Sequence, residues 1–349
     1  MPVPNHVARR PFLKLATGGL VAAGVAAAGG WAVANRSRNL FQVRHERTLM
    51  QTSVSVNVLA ADTETARHAI AQAYMRMEGA VSVLSRFDSG SALSRLNRDG
   101  RLENPPPLLH QVLDRALEIS ARTDGDFDIT VAPVLDYFLA QPRPLVLDPA
   151  MRMAIARREV LVGYRSVSLA NDAVALTHTG MAVTLDGIAK GFIVDQGIAA
   201  LRAAGIEYAL IDAGGDLRAI AGSDPARYWN VGIVDPLHDS HVAAVLRLRN
   251  AALSTSGNYH VFFSADRRLF HIINPHTGYS PDRYSSVTVM AAETMETDAM
   301  SVAGFSMTLP RLKQVMSERR EEWLVFSFDG KARWRSRGLP LVYGAAEVV

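Results

Sequence analysis

Polar and apolar residues alternate from Thr52 to Leu59 (TSVSVNVL), the pattern of a half-buried strand. Thr63 to Leu84 then predicts a helix, followed by a polar loop, SRFDSGSALSRLNRDG. A second helix is expected over about Pro107 to Thr123, with Leu109, Val112, Leu113 and Ala116 on one face and Pro105-Pro106-Pro107 as a stiff lead-in. Two short strand-like runs, VSLAND and VALTHTG, are joined by a turn carrying Asn171 and Asp172. Ala189 to Ala204 reads as a helix ending at Gly205, a suitable C-cap. Runs of β-formers broken by Gly, Asp and Pro follow from Glu207 to Met290. A helix over Met295 to Leu309 and strands near Trp323 to Phe328 close the chain. No repeat, low-complexity tract or linker divides it, so the pattern predicts one mixed α+β domain.

Composition changes this picture mainly at the N-terminus. Of 349 residues, 48% are apolar and 20% charged, ordinary for a folded globule and far from a disordered chain. Arg9, Arg10 and Lys14 are the charged residues of the first 34, so the formal +3 leaves the remainder neutral and suggests no nucleic-acid groove. The stretch Ala8-Arg9-Arg10-Pro11-Phe12-Leu13-Lys14 precedes a Gly- and Ala-rich apolar run from Leu15 to Ala34. That is the layout of a twin-arginine export signal, with Ala32-Val33-Ala34 offering a cleavage site before Asn35. The expected division is therefore a signal over 1–34 and a folded domain over 35–349, delivered to the periplasm by the twin-arginine translocase. An uncleaved segment would instead anchor the domain to the inner membrane. The absence of cysteine excludes disulfides, thiolate metal sites and cysteine nucleophiles.

Six segments carry candidate chemistry, and each alone also admits a plain structural reading. Thr123 to Pro133 places Asp124, Asp126 and Asp128 around Phe127. Leu185-Asp186-Gly187-Ile188-Ala189-Lys190-Gly191-Phe192 runs a glycine turn into a helix, a start that suits a phosphate. Ile211 to Arg218 contains the adjacent Gly214 and Gly215 between two strands, and Leu253 to Tyr259 reads as a polar, hydroxyl-dense loop. Phe270 to Gly278 reads as a strand ending in a Pro/Gly turn, with His271 as a candidate general base. In Met295 to Ala303, Asp298 with Ser301 three residues later could cap the helix or bind a hard cation.

Taken in order, with Met50-Gln51-Thr52, Ser85-Arg86-Phe87-Asp88 and Ser94-Arg95-Leu96-Asn97, these segments resemble the FAD:protein FMN transferase (ApbE) family over about Thr48 to Ser306. The resemblance implies a single ApbE-like domain that transfers FMN from FAD to a threonine of an exported or membrane redox protein, releasing AMP with the help of Mg²⁺. It implies FAD contacts at Met50, Phe87, Asp126, Phe127, Asp128, Thr184, Lys190 and Ile273. Metal positions fall at the Gly187 carbonyl, Asp298 and Ser301, and catalytic roles at His271 and Asp298. The implied partner is an acceptor flavoprotein on the periplasmic side of the membrane. The chain departs from the family pattern at Gln51 (usually Gly), Phe87 (Tyr), Asp126 (a small residue), Thr184 (Asp), Asp186 (Gly), Asn274 (Asp) and Val302 (a hydroxyl residue). These exchanges keep two alternatives open: a non-catalytic FAD-binding accessory protein for periplasmic redox-enzyme maturation, and an FAD pyrophosphatase.

Overall fold

The computed structural model describes residues 40–238, 240–259 and 261–349, so the twin-arginine stretch lies outside the described residues. The chain opens with a hairpin, β1 (Phe41–Leu49) and β2 (Thr52–Ala60), followed by α1 (Thr63–Leu84), α2 (Ala92–Asp99) and the short β3 (Arg101–Glu103). Helices α3 (Pro107–Arg122), α4 (Ala132–Leu139) and α5 (Pro149–Glu159) precede a small hairpin, β4 (Val167–Leu169) and β5 (Ala173–Leu176). Helix α6 (Ala189–Ala203) leads into β6 (Tyr208–Asp212), β7 (Asp216–Ala221), β8 (Trp229–Val234), β9 (Val242–Leu248), β10 (Ala252–Gly257) and β11 (Tyr284–Ala291). Helices α7 (Thr294–Ser306) and α8 (Leu309–Glu318) come next, then β12 (Glu322–Ser327), β13 (Arg333–Arg335), β14 (Leu341–Tyr343) and β15 (Glu347–Val348).

Nine strands form the central sheet in the order β1-β2-β6-β7-β10-β11-β12-β13-β15, antiparallel except where β13 meets β15. Strands β8, β9 and β14 form a second sheet, and β3, β4 and β5 a third. The central sheet is buried on both sides, and β12 shows how. Trp323 and Val325 join a core built with α1, α6 and α7, while Leu324 and Phe326 join a second core with Trp229, Val231 and Leu246 of the small sheet. The fold is thus a single α+β domain, as the periodicity predicts.

Helix α1 occupies its predicted span, because Ala66, Ala69, Ile70, Ala73, Tyr74, Met77 and Ala80 recur at helical spacing and the Asp62 carboxylate caps the Thr65 N–H at 2.7 Å. Four expectations need correction. The strand at Thr52 is not half-exposed: Ser55 and Asn57 are buried as well as the valines. The polar loop after α1 contains α2, capped by the Ser91 hydroxyl on the Ser94 N–H. Residues 252–257 are a central strand rather than a loop. The last predicted helix ends at Ser306 rather than Leu309, and a further helix, α8, restarts at the Thr308 cap.

The β1–β2 turn shows a cost of divergence. Leu49 pairs with Thr52, so Met50 (φ 51°) and Gln51 (φ 60°) form a two-residue turn of the I′ kind, both left-handed. Glycine reaches that region freely, whereas a side chain pays about 1 kcal/mol or more. Gln51→Gly is therefore expected to stabilise the fold by about 1 kcal/mol, read as a higher urea midpoint at unchanged slope.

Candidate active site

The start of α6 is held against α7 by a missing side chain. A methyl on Gly187 would touch Val302 Cγ2 at 3.0 Å and the Phe127 ring at 3.5 Å, so these three residues pack together. Asp298 lies one turn before Val302, on the same face of α7. It is 2% exposed, and its Oδ2 accepts the Gly191 N–H at 2.9 Å. Among the described residues no hydrogen bond reaches its Oδ1. Lys190, 35% exposed, forms an ion pair with the buried Asp216.

Two buried carboxylates therefore share one ammonium. Burial pushes the Asp298 carboxyl up to about 8, aided by Asp216 and opposed by Lys190. For Lys190, burial works downward, yet Asp216 and Asp298 outweigh it and hold the ammonium above the usual lysine range. At neutral pH Asp298 therefore keeps its proton, which a cation bound there would displace.

Hydroxyl pairs fix the rotation of α7. Ser254 and Ser256 of β10 meet Thr297 and Ser301 at 2.8 and 2.7 Å. The match is geometric: two residues advance about 6.6 Å along a strand and four about 6 Å along a helix. The Ser301 hydroxyl also bonds the Asp298 carbonyl at 2.9 Å. Its oxygen is thus committed to β10 and the helix backbone, and Val302 is the residue that faces Gly187.

His271 lies in irregular chain rather than a regular strand, beside the isolated Phe262–Phe270 bridge. Its Nδ1 is 3.2 Å from the Val261 carbonyl, which only accepts, so Nδ1 carries the proton and Nε2 keeps its lone pair. Burial pulls the imidazole below its usual value, with Val261 opposing and Lys190 adding to the drop. A neutral ring with a free Nε2 can accept a proton.

The remaining predicted contacts surround this centre unevenly. The Met50 turn reaches it through Thr52, which packs on Gly214 beside Asp216. Phe87 is 67% exposed, with the Arg86 guanidinium 4.8 Å from its ring. Arg86 pairs with Asp186 at 2.8 Å and also with Asp136, so the carboxylate gained at 186 already has a cationic partner, which it shares. Thr184 is buried, and its hydroxyl accepts the Asp186 N–H at 3.2 Å. Asp126 meets His276 Nε2 at 3.2 Å, linking the Thr123 segment to the His271 loop. Asp128 accepts the Thr130 N–H and hydroxyl and the Tyr164 N–H at 2.6–2.8 Å, which makes it a staple of its loop. Ile273 is buried in the apolar cluster under the His271 loop. Asp216, directly after Gly214 and Gly215, was not among the residues expected in the site; the one sequence signal for it is an acid that follows two turn glycines.

The ApbE family model matches residues 50–325. An FAD:protein FMN transferase of Treponema pallidum is 29% identical over 295 residues, covering 78% of this chain and 80% of its own. Another, from Haemophilus influenzae, is 28% identical over 233 residues, covering 64% and 67%. Among solved structures, the ApbE protein from Thermotoga maritima matches with a TM-score of 0.75 at 27% identity, covering 85% of this chain and 97% of its own. The flavin transferase ApbE from Vibrio cholerae matches with a TM-score of 0.73 at 23% identity, over 85% and 98%, a likeness of fold.

Proposed function

Because the chain belongs to the ApbE family, we propose that it is an FAD:protein FMN transferase acting on a threonine hydroxyl of a redox protein. The observation that carries this reading is the Asp216–Lys190–Asp298 cluster at the start of α6, with a proton-accepting face of His271 nearby. In the transfer, the acceptor oxygen bonds to the FMN-side phosphorus as the pyrophosphate P–O bond breaks. AMP departs with the bridging oxygen, and the hydroxyl proton passes to His271 Nε2. Lys190 supplies fixed positive charge beside the reacting phosphates, and Phe127 and Gly187 shape the approach of the cofactor.

The donor set fits a hard cation bound together with substrate. Asp298 and the Gly187 carbonyl offer oxygen, Val302 offers none, and no group of three acidic, His or Cys side chains suited to a metal occurs among the described residues. Mg²⁺ characteristically uses few protein oxygens and completes its shell from water and phosphates. Bound there, it would neutralise charge on the pyrophosphate.

The proposal includes export to the periplasm. It rests on Arg9-Arg10-Pro11-Phe12-Leu13-Lys14 and the apolar run to Ala34. It places residues 35–349 and the acceptor on the same side of the membrane. Among the described residues no helix is long and apolar enough to cross a membrane.

The test incubates the purified chain with FAD, Mg²⁺ and a threonine-bearing acceptor, and follows flavin fluorescence in the protein band. Labelling should appear with release of AMP. Its pH dependence should rise through a midpoint below about 6.5, because His271 must be neutral to accept the proton and its folded value is lowered. His271→Ala should lose that limb and about 10²-fold or more in rate. Free FMN and AMP without labelling would favour the pyrophosphatase, and FAD binding without turnover the accessory protein.

A further inference from the structure

Helix α7 starts with no side-chain cap of its own: Glu293 precedes it and makes no capping bond. The cap comes instead from the neighbouring helix. Asp195 of α6 accepts the Thr294 N–H at 3.0 Å and hydroxyl at 2.8 Å through Oδ1, and the Met295 N–H at 2.9 Å through Oδ2. Arg218 of β7, largely buried, pairs with the same carboxylate. Arg202, also on α6, is the further charged group that senses both.

Asp195 lies four residues after Gly191, and Asp298 four after Thr294. Helix α6 therefore grips α7 at two points, each one turn apart: the Asp195 carboxylate on 294–295, and the Gly191 N–H on Asp298. Gly191 permits the contact, since a methyl there would overlap the Thr294 carbonyl. The hydroxyl pairs to β10 hold α7 from Thr297 onward, so release of the Asp195 grip would loosen the start of the helix, where Asp298 meets Gly191.

We propose that Asp195 is a positioning residue for FMN transfer, a carboxylate that holds the start of α7 so that Asp298 keeps its place on Gly191. The inference rests on the transferase reading for its consequence in rate, but its physical content is a coupling within the protein. A shift of about 1 Å at a reacting centre can cost about 10²-fold in rate. Asp195→Asn keeps the shape while turning an amide N–H toward an N–H donor.

Residue-resolved amide exchange provides the decisive readout. Gly191 lies in the first turn of α6, where N–H groups lack intrahelical partners, so its protection reports the bond to Asp298. In Asp195→Asn, protection at Gly191 should fall at least about tenfold together with that at Met295. Calorimetry on the FAD-loaded protein should show Mg²⁺ affinity weakened about fivefold or more. The kcat for transfer should drop about 10- to 100-fold with FAD affinity within about twofold. Thr294→Val, which removes one of the three bonds, should give the same changes in smaller measure and keeps the test open if Asp195→Asn does not fold. Asp195→Glu, which retains the charge, should recover part of the loss. Loss of protection at Met295 with Gly191 unchanged in a folded variant would overturn the proposal and leave Asp195 a simple cap. If the parent transfers no FMN, the transferase reading fails, and the exchange result still decides the coupling.

Discussion

Asp298→Asn should abolish FMN transfer, by at least about 10³-fold, while changing FAD affinity by less than about threefold. The side chain is buried, its Oδ2 is fixed by Gly191, and it is the one carboxylate facing the Gly187 side of α7. Phosphoryl transfer depends on neutralising charge that develops on oxygen, so removing the anion proposed to hold Mg²⁺ should remove most of the rate. Binding draws on contact area spread over the whole flavin and adenylate, and changes little. The same variant should melt higher than the parent without metal. Burial raises the Asp298 carboxyl to about 8, so its ionised form destabilises the apo fold increasingly as pH rises from about 4 to about 8. An asparagine has no charge to bury. Gel fluorescence of the acceptor, with and without EDTA, and a thermal melt at pH 8 read both effects. Transfer that survives EDTA, or equals the parent in Asp298→Asn, would remove the metal from the mechanism.

Gly191→Ala should be among the most damaging glycine substitutions of the described residues. The added carbon would lie 2.6 Å from the Thr294 carbonyl carbon and 2.8 Å from Met295 Cα, and both are backbone. No rotamer relieves such an overlap, so α6 and α7 must separate. The expected cost is about 3 kcal/mol or more, a fall in Tm of roughly 4 °C or more for a chain of this size. The displaced N–H would also release Asp298. A melt within about 2 °C of the parent would show that the helix crossing has slack.

The elements legible in the sequence are those whose own residues specify them. Helices α1 and α6 lie within a residue of expectation because apolar spacing and end residues agree. Strand β10 was hidden because its hydroxyls, which normally mark solvent, are bonded to hydroxyls of α7 more than 40 residues later. Helix α2 was hidden because it is only eight residues long and just Ala92, Leu93 and Leu96 form its apolar face. In the site, Gly187, Lys190, His271 and Asp298 were named from motif order, and the fold brings the start of α6, α7 and β7 together around them. Asp195 gave no local signal. One acid on an apolar helix reads as a solvated position until the helix it caps is known.

The order of strands in the central sheet imposes a delay on biosynthesis. Strand β2 pairs with β6, with Ser55 opposite Asp212, so the first hairpin waits for more than 150 later residues. At a ribosomal pace of about 5–20 residues per second, that interval is roughly 10–30 s. Throughout it, Val54, Val56 and Val58 have no sheet neighbour beyond β1 and no helix layer completed over them. Such long-range closure is intrinsically slow and leaves a sticky nascent edge. If the proposed export in the folded state holds, translocation has to follow the arrival of β6.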